Sequence, residues 1–175
     1  VSKSPSHSYL ATIRWVRGPA PFIDAKYSRA HEWHFDGGII VPASSSPQVV
    51  PLPYSLQAAV DPEEAFVASL SSCHMLFALS FAAKAGFVVD EYTDSAEGLL
   101  TRDSAGKLSM TQVTLRPRMV FSGPKAPTAA QHDALHHEAH EECFIASSVR
   151  SEIICQPEMV VRSPKPPFPA PKLSR

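Results

Sequence analysis

The chain has 175 residues and a mass of 19.0 kDa, which suits one domain or two small lobes sharing a core. Sixteen Lys and Arg against seventeen Asp and Glu leave a net charge of −1, which excludes a basic nucleic-acid footprint and an acidic tail. With 44% hydrophobic and 19% charged residues the composition is globular rather than disordered, and three cysteines are too few for a disulfide scaffold.

Residues 1–16 lack an apolar core of signal-peptide length. Ala65–Ala83 is a run of nineteen uncharged residues, long enough to span a bilayer. It holds four serines, a cysteine and a histidine, and acidic residues stand directly before it. It is therefore read as a core helix, and the chain is expected in the cytoplasm, with neither membrane nor nucleic acid as a partner.

The N-terminal third reads as β. Tyr9, Ala11, Ile13 and Trp15 alternate with a more mixed set, and His31, Trp33 and Phe35 repeat the period of two. Asp36-Gly37-Gly38 before Ile39-Ile40-Val41 is a hairpin signal. Residues 42–62 carry five prolines and the serines 44–46, a connector with little regular structure. Asp61 then fits a helix N-cap, Pro62 the first turn and Glu64 a capping box. The helix is expected over 61–86, with Gly86 as its stop. Nearly every face of it is apolar, so burial on most sides is expected. A chain this short would struggle to provide that alone, which points to a homodimer. The remainder reads as β-β-α-β: strands over 87–100 and 107–121, a helix from Thr128 to about Glu142, and β character from Val149 to Val161. The domain is expected to end at 161, with 8–60 and 87–161 flanking the central helix. Residues 162–175 form a proline-rich tail.

Cys73 lies within the central helix, where a free cysteine ordinarily serves as a small core hydrophobe. His74 follows it, but helix neighbours point about 100° apart, so His74 is a poor base for Cys73. Cys143 follows a helix containing His132, His136, His137 and His140. His136 and His140 are four apart and could share a face, as zinc ligands do, although the adjoining glutamates suggest a solvated face. Cys155 sits in a β segment and reads as core. No glycine-rich phosphate loop is present, and no cofactor or metal is expected.

The segment from Asp61-Pro62-Glu63 to Cys73 resembles the helix-start signature of the OsmC/Ohr family of organic hydroperoxide reductases. The acid-to-cysteine spacing is ten, and a second cysteine follows His140-Glu141-Glu142 about 70 residues later. The order of elements is similar too. Phe144 stands where the family often has proline, and the segment 42–60 is a long proline- and serine-rich insertion. The resemblance implies an α+β, OsmC-like fold: an N-terminal antiparallel β-meander, a long central helix, then β-β-α-β, in an intertwined homodimer.

The activity it implies is reduction of organic or lipid hydroperoxides by a thiol. Cys73 would attack as a thiolate, Cys143 would close an intramolecular disulfide, and an external dithiol would reset the enzyme. A buried apolar helix disfavours a thiolate, so a cation is needed. The resemblance assigns an arginine held by the helix-start glutamate, matched here by Arg29 (Arg17 is second) and Glu63. Arginine stays charged when partly buried and can hold a carboxylate through two bonds. Phe66, Met75 and Phe77 are candidate lining of an apolar substrate pocket. Ten helical residues rise about 15 Å, so Glu63 and Cys73 cannot meet on one straight helix. Either the helix kinks near Ser69–Ser72 or a second subunit completes the site. The alternative is a noncatalytic member of the fold that binds a hydrophobic ligand or senses oxidant.

Overall fold

In the computed structural model, which describes residues 6–162, the alternation of the first third becomes a three-stranded antiparallel sheet. Its strands are β1 (Ala11–Arg14), β2 (His31–Phe35) and β3 (Ile40–Ala43). Ile13 pairs with Trp33 and Trp33 with Val41, so one face collects apolar side chains. Thr12, Arg14, Glu32 and His34 share the other face, where Glu32 bridges Arg14 and His34. Phe35 and Gly38 close the hairpin between β2 and β3, and Gly38 takes a φ of 86°. The connector is mostly turns, apart from a parallel bridge between Ala43 and Val60.

The central helix, α1, spans Pro62–Lys84 without interruption. The Glu64 backbone N–H donates to Asp61 Oδ1, and Glu64 Oε2 accepts from the Asp61 N–H, completing the capping box. At the other end the Phe87 N–H reaches back to the Ala82 carbonyl and Gly86 N–H to Ala83, with Gly86 at φ 75°. This Schellman closure is why glycine stands there. Within a single chain, full burial follows one line of the helix. Leu70, His74, Ala78 and Ala82, spaced four apart, are the buried line, whereas Leu76 is 62% exposed. By length and composition α1 could cross a membrane, a test that the core helix of a soluble protein also passes.

Compactness divides the chain into two units, residues 1–66 and 67–175. In the second, each expected long strand is broken in two. β4 (Val88–Asp94) and β5 (Glu97–Arg102) replace the first, β6 (Leu108–Leu115) and β7 (Pro117–Ser122) the second, and β8 (Glu152–Cys155) and β9 (Glu158–Val161) the last. β7 lies between antiparallel β4 and parallel β9, and β6 repeats the pattern between β5 and β8. Pro117 has no N–H to give, and the Arg116 N–H turns instead to Asp94 Oδ1 at 2.6 Å. Pro157 interrupts the third pair likewise. The second helix, α2 (Ala129–Glu142), starts from a Thr128–Gln131 capping box. Its buried line is His132, Leu135, His136 and Ala139. Ala78, Ala82, Phe87, Met119, Phe121, Leu135 and Ala139 form the core of this unit. The tail expected over 162–175 lies, from residue 163 onward, outside the described residues.

Candidate functional site

The thiols of Cys73 and Cys143 interact. Cys73 projects half-buried from α1; Cys143 is the C-cap of α2 and only 1% exposed. Burial, and then the interaction with Cys73, push the Cys143 thiol up to about 11. The Ala146 N–H, donated to Cys143 Sγ at 3.4 Å from a short 3-10 turn (Ala146–Ser148), acts in the opposite direction. Two cysteines whose thiols interact are a natural pair for disulfide formation on oxidation. Phe77, one turn beyond Cys73, meets Phe144 edge-on with ring centroids 5.2 Å apart. Met75 is half-buried on the same helix.

In the first unit a cavity of about 450 Å³ is lined by Ile13, Trp15, Phe22, Tyr27, Arg29 and His31 together with Glu63 and its neighbours. Phe22 stacks on Tyr27 at 4.7 Å and the Arg29 guanidinium lies 3.9 Å over the Tyr27 ring. Arg29 donates to the carbonyls of Ala25 and Tyr27, and its own carbonyl accepts from His31 Nδ1 at 2.8 Å. Arg29 and Glu63 thus face one cavity, but among the described residues no ion pair joins them. Arg17 is exposed and caps the Ala20 carbonyl instead. Phe66, half-buried, does not line this cavity; nor do Met75 and Phe77.

A third group of side chains was not foreseen. His74 Nε2 stands 2.9 Å from His136 Nδ1, and the two rings are parallel to within 10°. His136 Nε2 faces His132 Nε2 at 3.3 Å, and Cys155 Sγ lies 3.7 Å from His74 Nε2. Burial is the main cause of every shift here: it lowers His74 to about 4 and His136 to about 3, and raises the Cys155 thiol to about 12. His136 and His140, paired from spacing, do not share this cluster: the buried line of α2 runs through positions 132, 135, 136 and 139 and sets His136 beside His132 instead. That line was visible in the sequence as Leu135 and Ala139 flanking the two histidines. The contribution of His74 was not, since it depends on how α1 packs. Cys155, read as core, joins this group.

Fold and site together define an α+β thiol protein whose central helix presents one cysteine to a second at the end of a later helix. The family model for OsmC-like protein matches residues 55–158. An OsmC-like protein of unknown function from Vibrio cholerae is 53% identical, over 87% of this chain and 99% of that chain, with a TM-score of 0.86. The chain belongs to the OsmC-like family. An organic hydroperoxide resistance protein from Elizabethkingia anophelis shares the fold at 16% identity, 90% and 99% coverage and a TM-score of 0.65. That of Bacillus subtilis does so at 19% identity, 87% and 98% coverage and a TM-score of 0.61. No curated protein matches.

Proposed function

We propose that the protein is a thiol-dependent peroxidase that reduces organic hydroperoxides to alcohols. The observation that carries this reading is the interaction of the Cys73 and Cys143 thiols, brought together from helices far apart in sequence. Cys73 is the attacking residue, because Cys143 is almost wholly buried and burial holds its proton. The Cys73 thiolate attacks the terminal peroxide oxygen, the O–O bond breaks, and the leaving alkoxide takes a proton to become the alcohol. Cys73 is left as sulfenic acid. The Cys143 sulfur then attacks the Cys73 sulfur, water leaves, and a disulfide forms. An external dithiol reduces it by exchange, becoming a disulfide itself.

Arg29 and Glu63 are our candidates for the cation that favours the thiolate and the acid that orients it, by resemblance. Phe66, Met75 and Phe77 are our candidates for the apolar surface that favours organic over inorganic peroxide. α1 runs as one uninterrupted helix through Ser69–Ser72, and ten residues of such a helix rise about 15 Å from Glu63 to Cys73. A homodimer in which a second subunit completes the site is the remaining arrangement. Exposed Leu76 on α1 and Ile13, Phe35 and Ile40 on the first sheet favour it. The proposed setting is the cytoplasm, where reducing conditions keep such thiols available.

The test is titration of the fully reduced chain with cumene hydroperoxide. Two of its three thiols should be consumed and one cumyl alcohol released per chain. Unchanged thiols, or full turnover in Cys73→Ser, would overturn the reading. The aromatic cavity around Arg29 favours one alternative, noncatalytic binding of a hydrophobic ligand. That alternative predicts ligand uptake with no alcohol formed.

A further inference from the structure

We propose that His74, His136 and Cys155 form a binding site for a zinc-class divalent ion, distinct from the Cys73–Cys143 pair. The three residues come from α1, α2 and β8, and their donor atoms all lie within 4.8 Å of one another. The His74 Nε2 to His136 Nδ1 separation is 2.9 Å, and Cys155 Sγ to His74 Nε2 is 3.7 Å. A tetrahedral zinc with bonds of ~2.05 Å to nitrogen and ~2.3 Å to sulfur sets its ligands ~3.3 Å (N···N) and ~3.6 Å (N···S) apart. The two imidazoles would open by about 0.4 Å, and the remaining edge, no longer than 4.8 Å, would contract by at most about 1.2 Å. Two imidazoles and a thiolate are a borderline-soft donor set that suits zinc and disfavours magnesium or calcium.

The surroundings support an ion. When His136 Nδ1 ligates, its Nε2–H is free to donate to His132 Nε2, 3.3 Å away. That is the outer-shell bond that fixes a ligating histidine's tautomer. His74 and His136 are 1% and 2% exposed, so an ion held between them would be shielded from water. The Tyr92 hydroxyl, buried and unpartnered, interacts electrostatically with Cys155 and with Asp94. Asp94 interacts with His74 and Cys155 as well. A divalent ion would thus meet one thiolate as ligand and one carboxylate nearby, which balances its charge. Its binding releases the Cys155 proton to solvent. The proposal does not rest on the peroxidase reading, although the ion would tie together the helices that carry Cys73 and Cys143.

The experiment uses the full chain without a histidine tag, reduced and stripped of metal, with cobalt(II) as probe. One equivalent should give a thiolate-to-cobalt charge-transfer band and the intense visible bands of tetrahedral cobalt, both abolished by one equivalent of zinc. Cys155→Ser should lose the charge-transfer band, and the Cys73→Ser/Cys143→Ser double variant should keep it. His132→Phe should weaken zinc binding about 10–100-fold. In the unsubstituted protein, zinc should slow alkylation of Cys155 at least tenfold, read by peptide mass spectrometry. No band at one equivalent, a thiolate band that survives in Cys155→Ser, or unchanged alkylation of Cys155 overturns the proposal.

Discussion

The thiol of Cys143 interacts with that of Cys73, and the surroundings of the two differ: Cys143 caps a helix and is 1% exposed, whereas Cys73 projects half-buried from the middle of α1. In the proposed cycle this difference in burial is what assigns attack to Cys73 and resolution to Cys143. Replacing the buried partner separates them. Cys143→Ser treated with one equivalent of cumene hydroperoxide should accumulate Cys73 sulfenic acid, trapped by dimedone and weighed by mass spectrometry. The unsubstituted chain should instead yield a Cys73–Cys143 disulfide peptide. A disulfide from Cys73 to Cys155 would reassign the resolving residue.

Alkaline pH should weaken the fold. The Cys143 thiol rises from an ordinary 9 to about 11 because burial penalises its anion. A raised folded value means that the unfolded chain loses its proton first. The stabilising effect is therefore complete below pH 9 and disappears as pH climbs through 11. Urea midpoints of reduced protein measured from pH 8 to 11 should fall across that window. Cys143→Ala should show a shallower fall over the same range.

Gly98 in β5 has no room for a side chain. A Cβ there would run into the Met110 methyl and Val67 Cγ2. Methionine can move, but β-branched Val67 is stiff in a helix. Gly98→Ala is expected to cost about 1–3 kcal/mol, visible as a lower Tm. Gly98→Ala combined with Val67→Ala should recover part of the loss.

Phe121 is fully buried and meets Phe87 and His132 edge-on, at 6.3 and 5.8 Å between centroids. Phe121→Ala should destabilise the protein by about 3–5 kcal/mol through the cavity it leaves. Phe121→Leu should cost clearly less. Equal losses from the two substitutions would mean that the core around β7 collapses rather than holding its shape.

The cap of α1 is a smaller but cleaner lever. Asp61→Ala removes the acceptor for the Glu64 N–H, a bond of 2.8 Å, and is expected to cost about 1 kcal/mol. Asp61→Asn keeps an acceptor oxygen and should stay close to the original Tm.

Much of this protein is legible in its local chemistry. The capping box at Asp61–Glu64 and the glycine stop at Gly86 depend on residues a few positions apart, so they mark α1 almost to the residue. The alternation of β2 and the spacing from Glu63 to Cys73 are equally short-range, and they suffice to suggest the family. Pro117 and Pro157 are local signals as well. Their effect, splitting long strands into paired short ones, required knowing that the breaks coincide across the sheet. Apolarity along α1 says that its surface avoids water, not which face this chain covers. Packing against Phe87, Met119, Phe121, Leu135 and Ala139 decided that. The meeting of Cys73 with Cys143, and of His74 with His136 and Cys155, belongs wholly to the tertiary structure. Contacts between residues distant in the chain follow from how helices and sheet stack, and no period or spacing within one element encodes that distance.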